Sequence, residues 1–357
     1  MVECIFTIDY EIYGNGRGAL GELVYEPARR LREIFLKRDV RFVNFVEVAE
    51  LEQIEEHGTD GAIDRVKRQI VDLHNEGFEI ALHLHPQWFN ARREQGQWVL
   101  DASEYNLCRL PRRRIAQIVE RALGYLDHLV NAPSFKPLSF RAGNWLFQPT
   151  RDAAGVLADH GFRVDSSVFK GGLQHQHGLD YRRSLSNGYF WKFRDDVNEP
   201  DSTGPWIEVP TYSEMVPSWK MVTSKRLAFR NGGGAAGTST GQDVVQKVNR
   251  LRDLVRFRYP LKLDFCRMTF KELTVMMDDI IREDRKAPDS YRPIVLIGHT
   301  KDLTDFDTVE RFLSYLKAAR ISVSTFFDVY PKLARLTSTA QPDVELTACP
   351  TPYVHTY

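Results

Sequence analysis

Short apolar runs recur along this chain, and most of them end on a residue that carries chemistry. Residues 4–8 (CIFTI) run into Asp9 and Glu11, residues 78–84 reach His83 and His85, and 138–140 lead to Arg141. Residues 162–164 lead to Asp165, and 293–298 to His299. Helical spacing falls between them: apolar residues recur every third or fourth position in 27–38, 63–75, 111–129, 152–160, 269–283 and 307–319. Strand and helix alternating in this way predict parallel βα units and an α/β fold. In such a fold the C-terminal ends of all the strands lie on one face, so these residues are expected to meet there.

The overall balance excludes some partners. Lys plus Arg and Asp plus Glu are 48 each, so no global charge favours nucleic acid or a membrane surface. The basic stretch 109–114 (RLPRRR) reads as a solvated helix start. Cys4, Cys108, Cys266 and Cys349 are scattered, which suits a reducing compartment rather than a disulfide framework or a zinc knuckle. No apolar run approaches the roughly 18 residues that span a bilayer. Met1 leads straight into the first strand without the features of a secretory leader, so the expected location is cytoplasmic.

Two imidazoles two positions apart on an extended strand point the same way, and His83 and His85 form a natural pair of metal ligands. A carboxylate from the first strand completes a two-His, one-carboxylate set with positions left for water and substrate. A second carboxylate can take a proton from water, and a histidine can give one to a leaving amine. His175 and His177 repeat the same spacing, but in a long loop, which holds ligands poorly. The glycines in 14–18 (GNGRG) lack the Lys-Ser/Thr of a phosphate loop and read as a flexible turn beside the site. Trp88 and Trp98 could stack on a sugar face or pack inside.

Residues 170–206 lose the pattern, with a small hairpin expected over 188–193 (GYFWKF). Residues 230–241 are of low complexity, 244–255 read as helix, 321–327 as a last strand, and the chain beyond 336 as a tail.

Taken in order, the strand ends resemble the motifs of the NodB-homology polysaccharide deacetylases, carbohydrate esterase family 4. Residues 7–11 (TIDYE) stand at the family's T-F-D-D motif, 83–86 (HLHP) at its histidine motif and 140–145 (FRAGNW) at its R-x-P motif. Residues 165–167 (DSS) look like the fourth motif and 297–299 (IGH) like the L-x-H motif. The wording DYEIYGNG, LHLHPQW and FRAGNW is most similar to a divergent subgroup from lipopolysaccharide O-antigen clusters, of the WalW and WbmS type.

The resemblance implies a distorted or incomplete (β/α) barrel of seven or eight units over residues 1–335, with a loop-rich insert at 170–245 and a tail at 336–357. It implies Asp9 as general base, His299 as general acid and Arg141 as the group that orients Asp9. Glu11, His83 and His85 would hold a divalent metal, zinc first. Tyr10, Trp88, Trp145 and Asp165 are the expected substrate contacts. The implied reaction removes an acetyl or formyl group from an amino sugar, nucleotide- or lipid-linked, in cell-surface polysaccharide synthesis. An amidohydrolase acting on a non-sugar amide and a carbohydrate-binding domain without activity are the alternatives. Three departures from the family pattern stand out: the second acid is a glutamate one position late, the histidines are spaced H-x-H with Gln87 at the family's spacing, and Ala142-Gly143 replaces the usual proline.

Overall fold

The computed structural model describes residues 1–133, 135–221 and 257–338. The strands of its main sheet are β1 (Val2–Tyr10), β2 (Val43–Glu47), β3 (Glu79–Leu84), β4 (Ser139–Ala142), β5 (Val164–Asp165), β6 (Trp191–Phe193), β7 (Trp206–Glu208), β8 (Arg292–His299) and β9 (Ser322–Val323). They lie in the order β6-β7-β5-β4-β3-β2-β1-β8, with β9 alongside β1 at Glu3 and Cys4. All pairs are parallel except β6 with β7. Past β7 the chain reaches Thr211, which bridges Val295 of β8, and Asp264 bridges Ile297. These contacts curl the sheet into a distorted, incompletely closed (β/α) barrel.

Helices α1 (Glu26–Leu36), α2 (Val48–Glu56), α3 (Ile63–Asn75), α4 (Arg112–Val130), α5 (Arg151–Asp159), α6 (Phe270–Lys286), α7 (Phe306–Ala318) and α8 (Phe326–Ser338) accompany the sheet. The apolar stripes of α1 to α7, such as Leu31, Ile34 and Phe35 on α1 and Val66, Ile70 and Leu73 on α3, join the larger core cluster. From β1 that cluster takes Cys4, Phe6, Ile8 and Tyr10, which are alternate residues and therefore one face of the strand. The opposite face carries Ile5, Thr7 and Asp9. Ile5 belongs to a second cluster with Val43, Phe45, Ala81, Val295 and, from α8, Phe326, Val329 and Leu333. The inside of the curl is thus apolar towards the N-terminal ends of the strands and polar towards their C-terminal ends.

Several expectations change in detail. The strand expected over 321–327 is only Ser322–Val323, and Phe326 opens α8. Thr325 and Asp328 bond each other's backbone N–H at that helix start, and Phe326, Val329 and Leu333 at helical spacing fill the inner cluster. The hairpin expected within 188–193 is instead β6 paired to β7, thirteen residues on, with Trp191 opposite Glu208. Helix α2 was not expected; the Glu47 side chain caps it by accepting from the N–H groups of Ala49 and Glu50. The low-complexity stretch 230–241, the helix expected over 244–255 and residues 339–357 of the tail lie outside the described residues. Among the described residues, no helix is long and apolar enough to cross a membrane.

Candidate metal centre and catalytic cleft

Asp9 opposite His299, and His83 opposite Arg141, are register pairs across neighbouring strands, so backbone pairing alone brings these four side chains close. Asp9 lies between two partners. Its Oδ1 accepts from Arg141 Nη1 at 2.6 Å, and its Oδ2 is 3.4 Å from His299 Nε2. Arg141 is fully buried and held on every side: Nε donates to the Ser166 carbonyl at 3.0 Å, Nη2 donates to Thr7 Oγ1 at 3.0 Å, and the guanidinium lies 4.1 Å from the Phe45 ring centroid. Burial pushes the Asp9 carboxyl up, but Arg141, His83 and His299 together outweigh burial and hold it below the usual carboxylate range.

Glu11, His83 and His85 converge. Glu11 Oε2 is 3.1 Å from His85 Nε2 and 3.6 Å from His83 Nε2. Single ligand atoms of the three lie within 4.8 Å of one another; Asp9, Glu11 and His299 form a second such group. His83 Nδ1 donates to the Arg141 carbonyl at 2.9 Å, which leaves Nε2 as the free lone pair facing the carboxylates. Around His85 Nδ1 stand the side-chain amides of Gln87, at 3.3 Å, and Asn144, at 3.2 Å. Gln87 Oε1 is buried without a partner. Rotating that amide gives Oε1 a donor in His85 Nδ1–H and frees His85 Nε2, so the orphaned oxygen fits an imidazole that ligates through Nε2. Burial alone would lower the His83 pKa, but Asp9 and Glu11 raise it to about 9. The same negative field favours a divalent cation. These residues therefore fit a metal of the two-His, one-carboxylate kind.

Three residues that sequence reasoning missed contact this set. Lys301 Nζ donates to Glu11 Oε1 at 2.6 Å, and with His85 it holds the Glu11 carboxyl well below its usual range against burial. Glu47 Oε2 accepts the His85 backbone N–H at 2.6 Å. Glu50 Oε1 accepts the Ile12 N–H at 2.8 Å. Burial drives both acids up, Glu47 to about 7, so neither competes strongly with Glu11 for charge. Glu47 shares a strand face with Phe45 and ends β2, a signal that could have found it. Lys301 follows His299 as Glu11 follows Asp9, so the register of β1 with β8 is the signal that could have found it.

Three expected substrate contacts are corrected. Tyr10 follows Asp9 and so faces the opposite way; it is fully buried among the helices and donates to Gln69 Oε1 at 2.6 Å. Trp88 is buried, edge-on against Trp98 at 5.2 Å. Asp165 pairs in register with Phe140 and Glu208, on the helix-facing side; it is fully buried, accepts from Ser167, and burial raises its pKa. Trp145 is half-buried and lies 5.3 Å from Arg141. His175 and His177 belong to neither ligand group; His177 instead stacks on Tyr105 at 4.7 Å. Gly143, which departs from the usual proline of the resembled motif, is required by space: a Cβ there would collide with the Leu84 carbonyl and come 2.8 Å from the His85 ring.

No family model matches the sequence. No curated protein matches it either. Among solved structures, a candidate polysaccharide deacetylase from Mycobacterium smegmatis superposes with a TM-score of 0.53 at 14% identity, over 96% of this chain and 95% of that one. The PuuE allantoinase structure gives 0.47 at 12% identity, over 96% and 92% of the two chains. At that sequence distance the M. smegmatis structure establishes a shared fold, the incompletely closed (β/α) barrel.

Proposed function

We propose that this chain is a metal-dependent hydrolase that removes an N-acyl group, acetyl or formyl, from an amino sugar. The observation that carries the reading is the convergence of Glu11, His83 and His85 beside an Asp9 held by Arg141, with His299 on the other oxygen of Asp9. A divalent ion at the three ligands, zinc first, would polarise the acyl carbonyl and acidify water. Arg141 fixes Oδ1 of Asp9, so Oδ2 is the oxygen that takes a proton from water. Burial keeps the His299 pKa below the usual imidazole value despite Asp9, so the ring stands neutral near pH 7. The proton then passes from Asp9 Oδ2 to His299 Nε2 across 3.4 Å and on to the departing nitrogen. Water loses one proton and the amine gains it, and the acyl group leaves as a carboxylic acid.

The fold similarity to a candidate polysaccharide deacetylase supports a carbohydrate substrate. We assign the catalytic domain to residues 1–335, with 170–245 shaping substrate choice, and place the protein in the cytoplasm on a nucleotide- or lipid-linked precursor of surface polysaccharide, as in the WalW- and WbmS-type subgroup. One observation favours a second reading, a carbohydrate-binding domain without activity: Lys301 already neutralises one Glu11 oxygen. Metal analysis with an acetate- and formate-release assay separates the two. Stoichiometric zinc and acid release, both lost in Glu11→Ala and His83→Ala, support the hydrolase. A folded protein that takes up no divalent ion refutes it.

A further inference from the structure

Lys262 ends the strand Arg258–Lys262, which pairs with Ser213–Pro217, and the chain just after it hydrogen-bonds to β8 through Leu263 and Phe265. It therefore stands at the seam where the curled sheet draws together. Its Nζ lies 4.2 Å from the centroid of the Trp145 ring and 4.6 Å from that of Phe169. Arg141, which holds Asp9, touches the same indole at 5.3 Å. The Lys262 ammonium and the catalytic carboxylate's own partner thus both stand at one aromatic side chain.

The charged groups acting on Lys262 are Asp264, Arg267, Asp9 and Arg141. Both acids favour its charge, but neither hydrogen-bonds to it, and each has other partners. Asp264 accepts the backbone N–H groups of Cys266 and Arg267, and Asp9 is bound by Arg141. Among the described residues, no acceptor lies within hydrogen-bond reach of Nζ. Its environment is two aromatic faces and a half-buried position, which pulls its pKa down to about 8 through desolvation yet leaves it cationic at neutral pH. A desolvated cation without a hydrogen-bonded partner is costly, and an anionic ligand would supply one.

The backbone beneath it points the same way. Asn144 and Trp145 are consecutive non-glycine residues in the left-handed region, with φ of 54° and 66°. That conformation is strained for a tryptophan and concentrates at ligand sites. Here it presents Trp145 at the cleft with Lys262 against its ring.

We propose that Lys262 and Trp145 form a subsite for an anionic group, carboxylate or phosphate, carried by the sugar whose acyl group lies between Asp9 and His299; this rests on the deacylase reading above. Ligand-observed NMR titration of the full chain would use three probes. They are N-acetylglucosamine, its 1-phosphate, and 2-acetamido-2-deoxygalacturonic acid. A charge-assisted contact predicts that at least one anionic sugar binds about ten-fold or more tightly than the neutral one. Lys262→Met should bring that ratio to within about two-fold, and Lys262→Arg should keep it, the arginine variant serving also if the methionine variant fails to fold. Preference for the phosphate alone or the carboxylate alone supports the subsite and identifies its ligand. Equal binding of all three sugars by the unaltered protein, or a preference that survives Lys262→Met, overturns the subsite and leaves the deacylase reading standing. If none of the three binds, both fall.

Discussion

Arg141→Met tests the electrostatic core of the site. The guanidinium is the main counter-charge of Asp9, with Nη1 at 2.6 Å from Oδ1, and it also satisfies the Ser166 carbonyl at 3.0 Å. Methionine can keep the packing over Phe45 but neither charge nor donors. Removing one partner of a buried pair costs about 3–5 kcal/mol. At roughly 2 °C per kcal/mol for a chain of this length, Tm should fall by about 6–10 °C near pH 8.

The pH dependence sharpens this. In the unaltered protein the Asp9 pKa is depressed, so its favourable contribution is present above the unfolded value and is lost only as pH falls through the folded one. Without Arg141, burial dominates and the carboxyl pKa rises. The penalty is then greatest at high pH and is relieved as Asp9 takes up a proton. Scanning calorimetry with chelator present should show a deficit at pH 5 clearly smaller than at pH 8. An equal deficit at both pH values, or one under about 3 °C at pH 8, would refute the claim that Arg141 sets the Asp9 charge.

Other perturbations probe the surroundings. Gly143→Ala drives a methyl group into the Leu84 carbonyl and the His85 ring, so it should lower Tm and weaken zinc binding about 10–100-fold; calorimetric titration giving unchanged affinity would remove His85 from the ligand set. Lys301→Met frees Glu11 Oε1 and removes a cation from the metal position, so divalent affinity should rise about ten-fold; weaker binding would show that Lys301 supports the site instead. Glu79 sits buried at the floor of the barrel, its pKa raised to about 7 by burial, so its contribution is most favourable below the ordinary carboxylate range and is lost as pH rises through 7. Glu79→Gln can still accept from Phe327 N–H and can donate to Ser139 Oγ, so it should gain about 2–3 kcal/mol at pH 8.5 and nothing at pH 4. A gain independent of pH would contradict that assignment.

The sequence by itself determined the parallel βα plan and the chemistry at the strand ends, because strand and helix periods and the side chains that close each apolar run are local properties. Asp9, Arg141, His83 and His299 meet because neighbouring strands pair in register there, which follows once the plan is known. Strict alternation also contained more than was taken from it: since Asp9 faces inward, Tyr10 must face the helices. Burial of Trp88 against Trp98, a short way along the chain, depended on how that excursion folds back, and the pairing of Asp165 with Phe140 and Glu208 depended on packing between elements far apart in the chain. So did the arrival of Lys301 on Glu11 and of Lys262 on Trp145. Lys301 reaches Glu11 because β8 pairs with β1, and Lys262 reaches Trp145 where Thr211 and Asp264 bridge β8 and draw the two ends of the sheet together. Such non-local closure carries no sequence period, so only the tertiary structure could decide which side chains complete the cleft.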